Sequence, residues 1–167
     1  MSDIQRTLIL FKPDTLQRGL VGQILSRFER VGLKIVATKM IEPGKEHYYT
    51  HYEEIGQMIS RRGQASFDAA LNLMIQGPVI AMVLEGVEAV ALVRKLVGPT
   101  EPKSAQPGTI RGDFSHMSFG YADKQSIGIP NLIHASGDEK EAQKEIAHWF
   151  KDTEIFNYQS VHEKFTL

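Results

Sequence analysis

Two continuous apolar runs constrain the fold of this chain more than any other feature of its sequence. The first run, Thr7–Phe11, ends abruptly at Lys12-Pro13-Asp14, and the second extends from Pro78 to Leu84. A short apolar run that is bounded by turn residues predicts a buried strand. We therefore expect a sheet that contains both runs as buried strands, with Lys12 at the exit of the first.

The segments between and after these runs show alternating helical and strand patterns. Helices are predicted where apolar residues recur at helical spacing: 21–31, 45–76 with breaks at Gly56 and Gly63, 87–97, and after Asp138. Two further strands are predicted from short apolar or β-branched runs: 33–41 and 131–134. Irregular structure is expected elsewhere: loops over 99–113 and 115–129, and a tail over 152–167.

The resulting order of elements is strand, helix, strand, helices, strand, helix, strand, helix. It matches the split βαβ pattern of ferredoxin-like folds, in which helices cover one face of a four-stranded antiparallel sheet. Periodicity also permits a doubly wound sheet, and we favour the α+β ferredoxin-like class. No repeat, low-complexity tract or linker divides the sequence, so residues 1–167 are expected to form a single domain.

Charge and composition exclude several classes of function. The formal net charge of −1 gives no bulk attraction to nucleic acid or to an acidic membrane, so neither is an expected partner. The absence of cysteine excludes disulfides, thiolate metal sites and a cysteine nucleophile. Residues 1–6 lack the basic and apolar regions of a signal peptide, and no apolar run approaches membrane-spanning length. The expected location is the cytoplasm.

The stretch Pro130–Asp138 joins a histidine to the start of the last helix. His134 ends a short strand, and Asp138 has the capping-box spacing to Glu141. A helix start carries unpaired N–H groups and a partial positive charge, which favour anions. Glu145 borders the apolar stripe of the helix, so it is a candidate to hydrogen-bond one nitrogen of His134 and leave the other free as a nucleophile. A structural histidine beside a solvated glutamate is the alternative.

Several residues at element ends and in the loop over 99–113 carry groups that bind phosphate. Neither a Walker A loop nor a G-x-G-x-x-G motif occurs. Lys12 follows the first strand, Arg94 lies near the end of a helix, and Arg111 and Thr100 lie in the loop. A planar guanidinium suits phosphate oxygens, and a lysine ammonium supplies a point charge. Each residue alone is typical of a solvated surface, and together they are compatible with a phosphate ligand.

A series of short motifs runs along the chain in a fixed order. The motifs are Arg6-Thr7, Lys12-Pro13-Asp14, Arg18–Gly22, Arg27–Glu29, Gly32, His51-Tyr52, Gly77–Val79, Ala81–Val83, Glu85-Gly86, Arg94, Gly98, Thr100, Pro107–Phe114 and Asn131–Ser136. Through them the chain resembles the nucleoside diphosphate kinase family over nearly its whole length. The resemblance is specific because many motifs share one order, and it implies a ferredoxin-like fold.

The resemblance implies an enzyme that transfers the γ-phosphoryl group of a nucleoside triphosphate to a nucleoside diphosphate, in a ping-pong scheme through a phosphohistidine. It implies that His134 is the nucleophile, that Glu145 orients its ring, and that Ser136 lies beside it. Lys12 is also expected to be catalytic. The residues expected around the phosphates and ribose are Lys12, Tyr52, Arg94, Thr100, Arg111 and Asn131. Mg²⁺ would bridge the β- and γ-phosphates, and the chain would form a homo-oligomer, with a hexamer favoured over a tetramer.

The contact with the nucleotide base is where the sequence departs most from the family pattern. A longer segment, 53–65, precedes the position of the family's base-stacking phenylalanine. That position aligns with Ser66, and its neighbour Phe67 is the predicted base contact; both alternatives stay open. A second longer segment covers 115–129. Three single-residue departures leave the catalytic groups in place: Thr15 and Ala135 each replace a glycine, and Gly137 replaces an aspartate.

Histidines outside the motif around His134 have simpler interpretations. His47 and His51 have the i, i+4 spacing of helical metal ligands, but no third ligand accompanies them. Packing is therefore preferred, and no protein metal site is predicted. Surface positions are expected for His116, His148 and His162, and a solvated turn is expected for Arg61-Arg62.

A binding module is the alternative from another class of function. Ferredoxin-like sheets also bind RNA through a basic aromatic RNP1 motif, which this sequence lacks. A non-catalytic nucleotide-binding module of the same fold is the remaining alternative, since a fold does not determine a function. The presence of His134, Glu145, Lys12 and both arginines favours a working enzyme.

Overall fold

The computed structural model describes residues 4–166, so part of the N-terminal segment and the last residue of the expected tail lie outside it. One antiparallel sheet has the strand order β2-β3-β1-β4. Its strands are Ile4–Phe11 (β1), Lys34–Ile41 (β2), Val79–Val87 (β3) and Ile133–Ala135 (β4). This confirms the ferredoxin-like α+β prediction, since a doubly wound sheet would be mostly parallel.

The helices connect and cover these strands. The α-helices are Pro13–Gln17 (α1), Val21–Arg30 (α2), Lys45–Tyr49 (α3), Met58–Arg62 (α4), Gln64–Met74 (α5), Ala89–Val97 (α6), Ile110–Phe114 (α7), Phe119–Lys124 (α8), Glu139–Trp149 (α9) and Glu163–Thr166 (α10). A π-helix, Thr50–Ile55, follows α3, and short 3₁₀ turns occupy Pro102–Ser104 and Asp152–Glu154. Among residues 4–166, no helix combines the length and apolar character that crossing a membrane requires.

Several boundaries differ from those expected from the sequence. The breaks at Gly56 and Gly63 are confirmed, since Gly56 follows the π-helix and Gly63 separates α4 from α5. The segment 115–129, expected to be a loop, contains α8, because the Ser118 side chain caps the helix by accepting from the Tyr121 N–H group at 3.2 Å. The expected loop over 99–113 likewise contains most of α7.

Helices cover both faces of the sheet, rather than the one face expected. The reason lies in β1, where the side chains of Leu8 to Phe11 are fully buried although alternate residues point to opposite faces. Leu8 and Leu10 pack in one cluster with side chains from α3, α5 and α9: Tyr48, Met74 and Trp149. Ile9 and Phe11 pack in a second cluster with side chains from α2 and α6: Ile24, Phe28, Val93 and Val97.

The turn after β1 is bonded to the residues that precede β4. The backbone N–H group of Lys12 donates to the Leu132 carbonyl at 2.9 Å, and the Thr15 hydroxyl donates to the same oxygen. The Leu132 N–H group donates to Asp14 Oδ2 at 3.0 Å. Leu132 has a φ of 75°, a conformation that costs a bulky residue on the order of 1–3 kcal/mol, so these bonds hold a strained turn in place. Thr15, one of the departures from the family pattern, thus has a bonding role here.

The short helix α7, which carries Arg111, gives the first testable prediction. A Cβ atom on Gly112 would overlap the carbonyl of Gln106, whereas a Cβ atom on Gly22 in α2 would meet no atom of the described residues within 4 Å. We expect Gly112→Ala to lower the free energy of unfolding by about 1–3 kcal/mol through overpacking. Gly22→Ala should raise it by about 0.5–1 kcal/mol, because alanine is the better helix former. Urea unfolding followed by circular dichroism measures both, and equal stabilities would contradict the prediction.

Candidate active site

One pocket gathers most of the residues that the sequence analysis selected. Its cavity of about 240 Å³ lies where the exit of β1 and the start of β4 meet the π-helix, α4 and the loop after α6. Eight predicted site residues line it: Lys12, Tyr52, Arg94, Thr100, Arg111, Asn131, His134 and Glu145. Ser136 lies directly behind Glu145, and Phe67 lies elsewhere. The antiparallel register, which sets Leu10 opposite His134, brings Lys12 and His134 to the same side of the sheet.

His134 is held by a buried carboxylate. Its Nε2 atom lies 2.8 Å from Oε1 of Glu145, a residue that is 1% exposed, while 19% of the His134 side chain remains accessible. A carboxylate only accepts hydrogen bonds, so Nε2 carries the proton in this pair. In the neutral ring the lone pair is then on Nδ1, the usual form of a reactive imidazole whose other nitrogen is fixed.

Glu145 is in turn fixed to the central strand. The Ser136 hydroxyl donates to Oε2 of Glu145 at 2.6 Å and accepts a hydrogen bond from the Leu8 N–H group at 3.1 Å. Both carboxylate oxygens are therefore engaged, one by the imidazole and one by the serine. The orientation of the His134 ring consequently depends on the backbone of β1.

The start of α9 is capped by the chain itself. Asp138 is the N-cap residue, and its side chain accepts from the Glu141 N–H group at 2.8 Å, as the capping-box spacing predicts. The Glu141 carboxylate accepts from the Gly137 N–H group. These donors already have anionic partners, so the expectation that this helix start binds an anion is not supported by the geometry. The cationic side chains offer the better anion site.

Lys12 and Arg111 place positive charge in a poorly solvated part of the pocket. Burial lowers the pKa of Lys12 to about 8; nearby Asp14 opposes the shift, and Arg111 and Arg62 add to it. Burial also lowers the pKa of Arg111 to about 10, with repulsion from Arg94 as the next cause. These charges repel one another in the free protein, so a polyanion in the pocket would relieve the repulsion.

Hydrogen bonds hold both cations in defined positions. Lys12 Nζ donates to Oδ1 of Asn131 at 2.8 Å, and the amide of Asn131 donates to the Thr100 carbonyl at 2.8 Å. The Arg111 guanidinium donates to three backbone carbonyls, those of Asn131 (3.1 Å), Gly98 (3.0 Å) and Ile133 (2.6 Å). A guanidinium has five N–H donors, so two remain for a ligand.

The π-helix presents His51 and Tyr52 to the pocket. Such wide turns are rare and occur frequently at functional sites. Within residues 4–166, the Tyr52 hydroxyl and His51 Nε2 are buried without hydrogen-bond partners, which costs about 1–3 kcal/mol for each group. Burial also raises the pKa of the Tyr52 hydroxyl, which therefore stays protonated and available as a donor.

The histidines outside the motif pack largely as expected. His47 stacks on His148 with ring centroids 3.9 Å apart, and Nδ1 of His51 accepts from the Trp149 indole at 3.2 Å. His47 and His51 thus have separate partners within one aromatic cluster, as the packing interpretation predicts. The surface prediction holds for His116 and His162 but is wrong for His148, which is half-buried by the stacking.

A cluster of potential metal-ligating groups lines the pocket. Within the described part of the chain, His51, His134 and Glu145 each place one such atom within 4.8 Å of the others. Mg²⁺ prefers six oxygen ligands, whereas this cluster has two imidazoles and a carboxylate whose oxygens are already bonded. The cluster therefore does not suit Mg²⁺.

The structure places Phe67 away from the pocket, in contrast to the prediction that it contacts the base. Its side chain is 4% exposed and its ring meets Tyr49 edge-on, with centroids 5.8 Å apart. Phe67 and Met74 are seven residues apart on α5 and face the core, while Ala70 and Leu73 line the pocket. Ser66 bonds back to the Arg62 carbonyl, so it does not take the position either.

Several pocket residues were missed from the sequence. His51, Met58, Arg61, Arg62, Ala70, Leu73 and Ile129 all line the cavity. Arg61 and Arg62 are exposed as expected, but they lie in the last turn of α4 instead of in a loop turn, and they line one side of the pocket. Two features of the sequence could have indicated some of these pocket residues. They are the i, i+3 spacing of Ala70 and Leu73 on one helix face, and the position of His51 next to Tyr52.

The fold and the pocket define a class of protein. A histidine held by a buried carboxylate faces Lys12, Arg94 and Arg111 around one cavity. Fixed cations and an oriented imidazole are the requirements of phosphoryl transfer, which depends on positioning and on charge stabilisation. The class is that of phosphotransferases that act on polyphosphate compounds.

Comparisons with known proteins identify the family. The model of the nucleoside diphosphate kinase family matches residues 5–155. The chain is 48% identical over 160 residues to a nucleoside diphosphate kinase of Borreliella burgdorferi, and the match covers 93% of each chain. It is 45% identical over 158 residues to a nucleoside diphosphate kinase of Pyrococcus furiosus, and that match covers 95% of this chain and 90% of the relative. A solved Borrelia burgdorferi structure, a transition-state mimic with bound vanadate and ADP, has a TM-score of 0.94 and 46% identity, covering 98% of this chain and 96% of its own.

The chain therefore belongs to the nucleoside diphosphate kinase family. It is a phosphotransferase that moves the γ-phosphoryl group of a nucleoside triphosphate to a nucleoside diphosphate.

The lowered pKa of Lys12 gives a prediction for the pH profile. The charged form of a lysine is lost as the pH rises through its pKa, here about 8 instead of 10.5. We expect kcat/KM, which reports the free enzyme, to fall above about pH 8. Lys12→Gln should have a lower kcat/KM and lack this alkaline limb. Lys39→Gln, which removes a lysine paired with Glu154 outside the pocket, is the matched control and should keep the limb. An unchanged limb in Lys12→Gln would disprove the assignment.

Proposed function

We propose that His134 is the nucleophile of the reaction and that it forms a phosphohistidine. The observation that carries this proposal is the hydrogen bond from Nε2 to Glu145, which leaves Nδ1 as the nitrogen with an available lone pair. Nδ1 attacks the γ-phosphorus of the triphosphate, the bond to the bridging oxygen breaks, and the diphosphate leaves with the electron pair. A second diphosphate then attacks the phosphohistidine and restores the imidazole, which gives a ping-pong scheme.

Glu145 and Ser136 are the positioning residues in this proposal. The proton on Nε2 stays between the imidazole and Glu145 while the ring carries positive charge, so the carboxylate stabilises the intermediate. Ser136 keeps the carboxylate in place through its bonds to Glu145 and to β1. The support for these roles is geometric: both groups are buried and fully engaged.

Three cationic and three neutral side chains would make the remaining contacts with the nucleotide. Lys12, Arg94 and Arg111 would offset the charge that spreads over the equatorial oxygens in a loose transition state. Tyr52, Thr100 and Asn131 would contact the phosphates and the ribose. The placement of all six around one cavity supports this division.

Mg²⁺ would enter with the nucleotide in this proposal. It would bridge the β- and γ-phosphates and neutralise part of their charge. The poor match between Mg²⁺ and the cluster of His51, His134 and Glu145 supports an ion held by phosphate oxygens and water. Two free donors on Arg111 and the ammonium of Lys12 then act on the remaining phosphate oxygens.

We further propose that residues 1–167 form one domain, which works in the cytoplasm as a homo-oligomer, with a hexamer favoured over a tetramer. Its proposed partners are nucleoside di- and triphosphates, and neither nucleic acid nor a membrane is proposed as a partner. One sheet with a core on each face supports the single domain. The edge position of β2 and the 60% exposure of Met40 on it support a contact with a second copy.

Labelling of the protein tests the central assignment and separates an enzyme from a non-catalytic nucleotide-binding module. Incubation with γ-labelled ATP and no acceptor should leave acid-labile, base-stable label on the protein, and added diphosphate should remove it. His134→Ala should abolish labelling and retain nucleotide binding, because Lys12, Arg94 and Arg111 remain. Glu145→Ala should slow labelling by about ten- to a hundredfold, because it loosens the ring without deleting it.

Two outcomes would contradict this assignment. Wild-type protein that binds nucleotide and never takes up label would be a binding module. Label that persists in His134→Ala would place the nucleophile elsewhere. His116→Ala, at an exposed histidine that is not among the residues lining the pocket, is the matched control and should label like the wild type.

Weak discrimination among bases is the second prediction of this function. Met58, Ala70 and Leu73 form an apolar part of the pocket wall, and apolar contact accepts any base. We expect the kcat/KM values for adenine, guanine, cytosine and uracil diphosphates to differ by less than about a hundredfold, which corresponds to about 3 kcal/mol. Leu73→Ala should lower all four values by a similar factor. A larger preference for one base would disprove the prediction.

A further inference from the structure

We propose that Trp149 and His51 are positioning residues for this reaction. The Trp149 indole holds His51 as a hydrogen-bond acceptor, so that Oε1 of Glu145 accepts a hydrogen bond from His134 and not from His51. The inference rests on the proposed roles of His134 and Glu145. It assigns a task to a buried tryptophan and a buried histidine that do not contact the phosphates in the scheme above.

The tautomer of His51 follows from its contact with Trp149. Trp149 Nε1 lies 3.2 Å from His51 Nδ1 in hydrogen-bond geometry. An indole nitrogen is a donor only, so Nδ1 must be the accepting, unprotonated nitrogen of the His51 ring. The ring proton is therefore on Nε2.

The same nitrogen also lies near the carboxylate that orients the nucleophile. His51 Nδ1 is 3.7 Å from Glu145 Oε1, and this oxygen is the one that His134 Nε2 approaches at 2.8 Å. With a proton on Nδ1, His51 would be a second donor aimed at Oε1 and would compete with His134. The indole prevents this competition because its own hydrogen occupies the lone pair of Nδ1.

The surroundings of His51 act in the same direction. The ring is 1% exposed and meets His134 edge-on, with centroids 4.6 Å apart. Burial lowers the pKa of His51 well below its ordinary value, and the neighbouring imidazoles and Lys12 lower it further. The titratable groups that face His51 are Tyr52 on its own π-helix, His47 from α3, His134 from β4, Glu145 and His148 from α9, and Lys12. Glu145 is the group that would favour a charged ring.

Helix geometry explains why Trp149 is available for this role. Trp149 follows Glu145 by four residues on α9, so both side chains lie on the same face and point to the π-helix. The indole also packs edge-on against His51 and His47 in the core under the sheet. One helix therefore supplies both the carboxylate and the group that keeps a competing histidine away from it.

Nitrogen spectroscopy tests the tautomer directly. In protein labelled with ¹⁵N-histidine, the Nδ1 resonance of His51 should be that of an unprotonated nitrogen from about pH 5.5 to 8.5. Trp149→Phe keeps an aromatic ring and removes the donor, so Nδ1 should gain a proton within this range. A wild-type His51 that is protonated at Nδ1 would overturn the proposal, even if the Trp149→Phe variant failed to fold.

Single-turnover labelling then tests the consequence for the reaction. Trp149→Phe should label at least about tenfold more slowly than the wild type, because a proton on Nδ1 of His51 competes with His134 for Oε1 of Glu145. The double variant Trp149→Phe, His51→Leu should recover most of this loss, since leucine has no donor that could compete. Tyr48→Phe removes a hydroxyl from the same aromatic cluster and is the matched control, with the wild-type rate of labelling.

The outcomes separate this inference from the proposed function. Labelling of His134 at the wild-type rate in Trp149→Phe would overturn the role of Trp149 and leave the nucleophile assignment intact. Label on another residue would overturn the nucleophile assignment and, with it, this inference. A slow rate that persists in the double variant would show that His51 is not the competing donor and would overturn the inference.

Discussion

Both the core and the active site depend on the central strand β1. It pairs with β3 and β4, and its fully buried side chains alternate between two apolar clusters. Its end delivers Lys12, its backbone at Leu8 anchors Ser136, and its register sets Leu10 opposite His134. A shift of one residue would exchange the two faces of the strand, so the apolar packing that fixes the register also fixes the catalytic geometry.

The site combines a costly concentration of charge with rigid support. Lowering the pKa of Lys12 from 10.5 to about 8 corresponds to about 3 kcal/mol of disfavoured positive charge. The strained turn at Leu132 adds to the cost, as do the buried Tyr52 hydroxyl and His51 Nε2, which have no hydrogen-bond partner within the described residues 4–166. All of these costs lie around one cavity. A group whose hydrogen bonds are already made cannot stabilise a transferring phosphoryl group, so a site for this reaction needs groups that are held in place but not fully bonded.

The polar groups behind His134 form a chain in which each member limits the next. Leu8 fixes Ser136, Ser136 fixes one oxygen of Glu145, and the other oxygen faces both His134 and His51. Two imidazoles therefore lie close to the same oxygen of this carboxylate. The indole of Trp149 can only donate, so it makes Nδ1 of His51 an acceptor and leaves His134 as the imidazole that donates to the carboxylate.

The sequence by itself determined the strands, the fold class and eight of the residues that line the pocket. The apolar runs of β1 and β3 are local signals, and the motifs around Lys12, Arg111 and His134 lie next to element ends that antiparallel pairing brings together. Tertiary structure decided the rest. Phe67 turned to the core because α5 packs with that face inward, and Ala70 and Leu73 reached the pocket instead. The cover on the second face of the sheet and the contact between Trp149 and His51, which are 98 positions apart, join distant parts of the chain, where no local pattern specifies which side chains meet.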